Sequence, residues 1–487
     1  MRIVWCILFL FSFGITHAQT VKSIRAEVTK MIKDEDLKNA SIGFYAWDLD
    51  SNKIISGRSS SRSLVPASTM KLVTTATALE MMGSGRRFKT TIKYSGEIDT
   101  NCTLNGDIYI VGGGDPCLGS HRYIKHYGDF IGKWAEEIVK LGIDSINGRV
   151  IGDATIFSEQ MIPSTWIWGD LGNYYGSGPC GLSIYENLCR LTLASGSRGD
   201  SAVISCVNPY IPGLSFDNYV KSMSTTKDQS YIFGAPYQAD RVIKGGIPTN
   251  QKEFEVKASV PDPAYLAAFD LDMELRGIGV KLARPYTTVR RLGWDRKTLS
   301  AIDKKVITTK WSPRLSAIIQ SINHYSVNLY AEHLMNQIGL HKYGSGDTGS
   351  GSVATTKFWE EKELDVAGLY VNDGSGLSRF NAITAKQLVG ILQYMYSSKN
   401  YEIFYNSLAV SGKSGTLRSI GRGTAATGRI HAKSGYMTRV RSYAGYVKTK
   451  NRRNIAFAII VNNFNCSPLQ MKKKMEKIMV EMAELNE

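Results

Sequence analysis

The spacing of apolar residues changes period several times along the chain, and each change predicts an element. "ASIGFYAWDLD" alternates with period two, Ser51-Asn52 turns, and "KIISG" returns, which predicts a hairpin over residues 41–55. "LVPASTMKLVTTATALEMMG" then switches to helical spacing. Pro66 precedes the start, Leu72, Ala76 and Leu79 share a face, and Gly83 marks the stop. Ser68 therefore falls at the first turn of a partly buried helix.

From about Arg87 to Leu299 the texture differs. Gly, Asn and Asp turns separate short alternating runs such as "RFKTTIKYSGEI", "NGDIYIVGGGDPCL" and "INGRVIGDATIF". These predict a β-rich insert, interrupted by one helix, "YIKHYGDFIGKWAEEIVKLG". Between about Leu191 and Glu255 the runs are shorter and more polar, as in a second small β unit, and "PDPAYLAAFDLDMELRGIGV" follows as helix then strand.

Strong patterning returns after the insert. "LSAIIQSINHYSVNLYAEHLMNQIG" reads as helical with a break near Tyr325, and "ITAKQLVGILQYMYSS" is a helix with Thr384 as N-cap. Three strands follow, "TGRIHAKSGYM", "RSYAGYVKTK" and "NIAFAIIVNNF", the last two joined through Asn451-Arg452-Arg453 as antiparallel neighbours. The closing helix, "LQMKKKMEKIMVEMAEL", carries a stripe of Leu469, Met475, Ile478, Met479 and Met482 that is expected to face the core.

The N-terminus changes the picture of where this chain acts. Arg2 precedes an apolar run from Ile3 to Ile15, and Thr16-His17-Ala18 offers a small-residue cleavage site, so residues 1–18 read as a secretory signal. A retained N-terminal anchor is the alternative. No later stretch reaches the ~18 apolar residues of a membrane span. The cleaved chain is expected to be exported and soluble, and is long enough for two or three domains. Cys102, Cys117, Cys180, Cys189, Cys206 and Cys466 follow the leader. An oxidising compartment permits bridges, with Cys102–Cys117 and a pair drawn from Cys180, Cys189 and Cys206 as candidates. A formal charge of +16 suits a polyanionic partner such as an envelope polymer, or is simply a basic surface. An exported chain with no recognisable nucleic-acid module is not expected to bind nucleic acid.

Three short motifs carry the chemistry. Ser68-Thr69-Met70-Lys71 places a serine and a lysine one turn apart on a helix, hence on one face. A helix start also offers backbone N–H groups and a positive dipole end to an oxyanion. The lysine can accept the serine proton only if burial or a second cation lowers its pKa, and Lys433 is the candidate cation. A second SxxK, at Ser224, lies in a polar loop. Ser326-Val327-Asn328 precedes a helix start, where a hydroxyl can pass a proton to a leaving amine and an amide can hold a substrate carbonyl. Lys433-Ser434-Gly435 lies on a strand whose edge can pair with an extended peptide and its carboxylate. Gly435 permits close backbone approach. Alone, each has a bland explanation: a helix cap, a turn, an edge lysine that discourages aggregation. Together they equip one chain for acyl transfer through a covalent ester. Metal hydrolysis finds no support, since seven histidines form no HExxH-like pair, and no GxSxG elbow has the required context. No metal or cofactor is expected.

With these residues in order, the chain resembles the penicillin-binding D-alanyl-D-alanine carboxypeptidases/endopeptidases of the class C low-molecular-mass group, peptidase family S13. "LNGDIYIVGGGDPCL", "VPDPAYLAA", "SVNLYAEHL" and "NDGSGLSRFN" add to the resemblance, which covers nearly the whole mature chain. It implies an α+β fold: a serine β-lactamase/transpeptidase-like domain, an antiparallel sheet flanked by helices, with large β-rich inserts. The expected division is a catalytic domain split over 19–86 and 300–487, a second domain over 87–190 and 256–299, and a third over 191–255. The resemblance implies that Ser68 attacks the D-Ala-D-Ala carbonyl and Lys71 takes its proton. Ser326, with Lys71 or Lys433, relays a proton to the leaving group, and Asn328 holds the peptide amide. Lys433 and Ser434 bind the terminal carboxylate, and the N–H groups of Ser68 and Tyr436 form the oxyanion hole. Two positions depart from the pattern: Ser434 stands where Thr is usual, and Tyr436 where a small hydroxyl residue is common. Thr438 or Arg439 is the expected compensation. The implied partners are peptidoglycan stems ending in D-Ala-D-Ala and β-lactams as covalent inhibitors, in the periplasm, with room for a homodimer. A β-lactamase or esterase, and a non-catalytic peptidoglycan-binding protein on the same scaffold, are the competing readings.

Overall fold

The computed structural model describes residues 21–486, so the signal expected at 1–18 lies outside the described residues. The chain opens with helix α1 (Val21–Ile32), then hairpin strands β1 (Ser41–Asp48) and β2 (Lys53–Arg58), then helix α2 (Met70–Met82). After a long insert come α3 (Leu315–Tyr325), α4 (Asn328–Tyr343) and α5 (Ala385–Ser397). Strands β3 (Ala409–Val410), β4 (Ile430–Met437), β5 (Val440–Lys448) and β6 (Asn454–Asn462) and helix α6 (Pro468–Glu484) complete it.

These six strands form one antiparallel sheet in the order β3-β4-β5-β6-β1-β2. Chain start and end thus meet in the sheet centre, where Ser41 pairs with Asn462. Strand β6 is covered on both faces, and its side chains divide by parity. Ile455, Phe457, Ile459 and Val461 join the core under α1 and α6. The smaller Ala456 and Ala458, with Ile460, face the core that holds α2, α3, α4 and α5. In α6, Met471, Met475, Ile478, Met479 and Met482 are buried, whereas Leu469 is 60% exposed. Leu469 sits in the first turn, before the helix reaches the sheet, so Met471 takes the place expected of it.

Helix α2 is more deeply placed than its pattern predicts: Met70 to Leu79 are all buried. Its threonines are satisfied locally or across the core, Thr75 Oγ1 donating to Lys71 O at 2.7 Å and Thr74 Oγ1 to Gly374 O at 2.7 Å.

The insert leaves and rejoins at a strap, where Ser312 N donates to Phe88 O (2.7 Å) and Ser312 Oγ accepts from Phe88 N (2.8 Å). Strand Lys305–Trp311 pairs antiparallel with Lys89–Tyr94, tying the last strand of this stretch to its first. Its alternation is weak in sequence because only edge pairing, not burial, holds it. Four further sheets fill the insert, of five, four, three and three strands. One three-stranded sheet joins Leu188–Ala194 to Val203–Asn208 and Phe254–Ser259. The single helix expected from Tyr123 is three short pieces, because Gly128 at φ 56° stops one and Asp129 caps the next. The six described cysteines are all free, so neither candidate bridge forms in this structure. Cys102 lies in the turn before Thr103–Asn105, while Cys117 is buried in the core.

Among the described residues no helix is long and apolar enough to cross a membrane.

Candidate active site

Ser68 lies in a short 3₁₀ turn (Ala67–Thr69) that runs straight into α2. The preceding Ala67 has φ 48°, the left-handed region that costs an L residue energy, so the turn is held by its surroundings. Ser442 of β5 does part of this, donating from Oγ to Pro66 O at 2.5 Å and accepting from Thr69 Oγ1 at 3.2 Å.

One helical turn on, Lys71 is fully buried, and its Nζ donates to Ser68 Oγ (3.0 Å), Asn328 Oδ1 (2.6 Å) and Ser375 O (2.6 Å). Burial disfavours the charged amine, and the carboxyl groups of Asp373 and Glu332 only partly oppose this, leaving a pKa lowered to about 7. Ser326 ends α3 in the left-handed conformation (φ 64°), the break expected near Tyr325. Its Oγ accepts from Lys433 Nζ at 2.9 Å, and Lys433 also reaches Ser434 O at 2.8 Å. Lys433 is fully buried as well, and burial first, then Lys71, pushes its pKa well down. The motif residues therefore meet in two hydrogen-bonded groups, Ser68–Lys71–Asn328 and Lys433–Ser326, each centred on a buried lysine.

The third motif lies on β4, which β3 covers only at His431 and Ala432. Among the described residues no strand pairs with the rest of that edge, from Lys433 to Met437. A Cβ on Gly435 would meet Pro66 O at 2.6 Å and Ser68 N at 3.0 Å, with Ser442 Oγ closer still. Glycine is thus what lets the strand lie against the serine turn. Gly435→Ala is expected to push β4 off Ser68 and slow acylation of that serine about 10²-fold. Wild-type acylation kinetics in that variant would refute the packing argument. Tyr436 is 52% exposed, with the Arg441 guanidinium 5.3 Å over its ring. Arg439 stands at the exposed β4–β5 turn with φ 61°, and Thr438 is also exposed, so the cation paired with Tyr436 across the ladder is Arg441.

Three further residues shape the site without belonging to the three short motifs. Glu332 of α4 is fully buried and accepts from Gly374 N (3.0 Å) and Ser375 N (2.7 Å). Asp373 accepts from Gly376 N (2.7 Å), Asn381 Nδ2 (2.7 Å) and Trp166 Nε1 (2.8 Å). They fold the "NDGSGLSRFN" run into the turn that brings Ser375 O onto Lys71. Tyr175 O, from the insert, accepts from Asn328 Nδ2 at 2.8 Å and so orients that amide. The distinctive run pointed at this turn; a backbone carbonyl contributed by Tyr175 has no sequence signal.

Comparison with known proteins places the whole chain. The chain is 28% identical over 483 residues to a D-alanyl-D-alanine carboxypeptidase of Actinomadura sp., covering 95% of this chain and 84% of that protein. It is 23% identical over 443 residues to the D-alanyl-D-alanine carboxypeptidase DacB of Haemophilus influenzae, covering 90% and 88%. The crystal structure of penicillin binding protein 4 (dacB) from Haemophilus influenzae superposes with a TM-score of 0.78 at 22% identity, over 94% of this chain and 97% of that one, so the two share a fold. A second structure of that protein, complexed with a β-lactam, gives 0.73 at 19% identity, over 96% and 98%. The model of one peptidase family matches residues 24–485, which takes in both halves of the main sheet, the whole insert and every motif residue above, and on that match the chain belongs to the D-Ala-D-Ala carboxypeptidase 3 (S13) family.

Proposed function

We propose that this chain is a serine-type D-Ala-D-Ala carboxypeptidase that trims peptidoglycan stem peptides through an acyl-enzyme on Ser68. The observation that carries the reading is a fully buried lysine with a pKa near 7 donating to a serine hydroxyl at 3.0 Å, in a chain of this family. Neutral Lys71 takes the Ser68 proton as Oγ adds to the carbonyl carbon of the penultimate D-Ala. The N–H groups of Ser68 and Tyr436 stabilise the oxyanion. As the C–N bond breaks, Ser326 passes a proton to the departing amine and is reprotonated from Lys433 or Lys71. Water then cleaves the ester and restores Ser68. The open edge of β4 takes the extended peptide, Asn328 holds its amide, and Lys433 and Ser434 hold its terminal carboxylate. Gly435 and Tyr436 line the same strand, and Arg441 suits the supporting part expected of Thr438 or Arg439.

The same steps cut a D-Ala cross-link when the leaving amine belongs to a neighbouring stem, which makes DD-endopeptidase activity part of the reading. Ser68 Oγ adds to the carbonyl of a β-lactam in the same way, and the ring C–N bond opens to leave the acyl-enzyme. Export to the periplasm follows from the leader, and the division into a split catalytic domain and two inserted units, with room for a homodimer, belongs to this proposal.

Labelling with a fluorescent penicillin tests it. Wild type is expected to form a stable adduct and Ser68→Ala none. An adduct that persists in Ser68→Ala would place the nucleophile on another residue. No adduct on folded wild type would favour a binding scaffold, and an adduct that turns over quickly a β-lactamase.

A further inference from the structure

The smaller inserted unit carries an exposed aromatic face that the reaction above does not use. Strands Ser215–Met223, Asp240–Pro248 and Tyr231–Phe233 form a three-stranded sheet, whose ladder sets Tyr219 opposite Lys244 and Lys244 opposite Tyr231. Tyr219 is 60% and Tyr231 54% exposed, and the Lys244 ammonium stands 5.6 Å from the Tyr219 ring centre. Phe233, two residues on from Tyr231 and so on the same face, stacks on Trp168 at 6.4 Å and 30°. Trp168 is itself 55% exposed. Two strand spacings separate Tyr219 from Tyr231, about 9.6 Å.

This face is tied to the candidate active site through one short segment. The buried Asn173 side chain accepts from Ile232 N (3.1 Å) and donates to Ile232 O (3.3 Å), pairing with that strand as a backbone would. A Cβ on Gly172 would collide with Ile232 O, so the segment lies directly against the strand. Two residues after Asn173, Tyr175 O holds the Asn328 amide. The aromatic face and Asn328 are therefore positioned by the same few residues.

We propose that this face binds the glycan strand of the polymer whose stem peptide enters the active site, a proposal that rests on the carboxypeptidase reading. Pyranose rings are amphipathic: their C–H faces stack on aromatic rings while hydroxyl and acetamido groups need polar neighbours. Tyr219, Tyr231 and Trp168 supply stacking faces, and Lys244 supplies a donor between the two tyrosines. A charged group at that point interrupts the continuous apolar surface that an apolar protein partner would need. The two-strand spacing is of the order of a disaccharide repeat, so equivalent sugars of successive disaccharides can each meet a ring.

The test uses the full mature chain and a Tyr219→Ala/Tyr231→Ala variant, both positions being exposed and outside the catalytic groups. Release of D-Ala is measured from purified sacculi and from a short peptide ending in D-Ala-D-Ala, and binding of an N-acetylglucosamine hexamer is followed by Trp168 fluorescence, with Trp168→Phe as control. The variant is expected to lose roughly tenfold in kcat/KM on sacculi, the size of losing two stacking faces, with the short-peptide rate unchanged. Hexamer binding should weaken in parallel. An unchanged ratio of sacculus to peptide rates, or no hexamer binding by wild type, overturns the proposal. Failure of wild type to release D-Ala from the short peptide would instead overturn the carboxypeptidase reading, and hexamer binding alone would then decide the surface.

Discussion

Lys71→Met is expected to lower the rate of penicillin acylation by about 10²–10⁴-fold, the usual contribution of a positioned general base. Methionine keeps most of the buried volume of the lysine stem, so the effect falls on chemistry more than on packing. Wild type should show an acid limb that the variant lacks. With a Lys71 pKa of about 7, the amine is protonated below that pH and cannot accept the Ser68 proton. Acylation should therefore rise as pH increases through 7 and level off above it. The burial that lowers this pKa also isolates the amine from solvent, leaving Ser68 Oγ, Asn328 Oδ1 and Ser375 O as its partners. Stopped-flow acylation across pH 5.5–9, a window of about 1.5–2 pH units either side of that pKa, checks both points. An acid limb retained in the variant would assign the titration to another group.

Glu332→Ala is expected to lower stability by about 3 kcal/mol and to abolish most acylation, though Glu332 contacts neither Ser68 nor Lys71 in the hydrogen-bond network. Its carboxyl, pushed up in pKa by burial and by Asp373, is the acceptor for Gly374 N and Ser375 N. Without it two buried N–H groups lose their partner and a cavity opens beside them. The turn they belong to has no slack. A Cβ on Gly374 would collide with Ala331 O, and one on Gly376, at φ 81°, with Ala67 O next to the serine. Loosening this turn withdraws Ser375 O from Lys71 and removes a wall from the Ala67–Thr69 turn. Thermal unfolding alongside penicillin labelling separates the effects. A variant with the wild-type melting temperature and labelling rate would show that the carboxyl is dispensable.

Glu332 and Lys71 also show where reading the chain stops being enough. The helix at Ser68 was legible because Pro66, the apolar spacing and Gly83 are local signals, and burial at Leu72, Ala76 and Leu79 follows from them. The "NDGSGLSRFN" run was legible as distinctive, yet its use was not. The purpose of its glycines is close approach to Ala331 and Ala67, which lie about 40 and 300 residues away in the chain. Strand Lys305–Trp311 was missed for the opposite reason: it is an edge strand with little burial, and partial exposure leaves no strict alternation to read.

By itself the sequence determined the residue types available for acyl transfer, their order, the helical placement of Ser68 and Lys71, and the strand that carries Lys433. Local rules suffice for these, because helix spacing and strand alternation act over a few residues. Only the tertiary structure decided that Lys71 also reaches Asn328 and Ser375 O while Lys433 reaches Ser326, that both lysines are fully buried, and that an insert carbonyl at Tyr175 orients Asn328. Those are properties of distance and desolvation between segments far apart in the chain. A lowered lysine pKa arises from the water that packing excludes, which no run of neighbouring residues encodes.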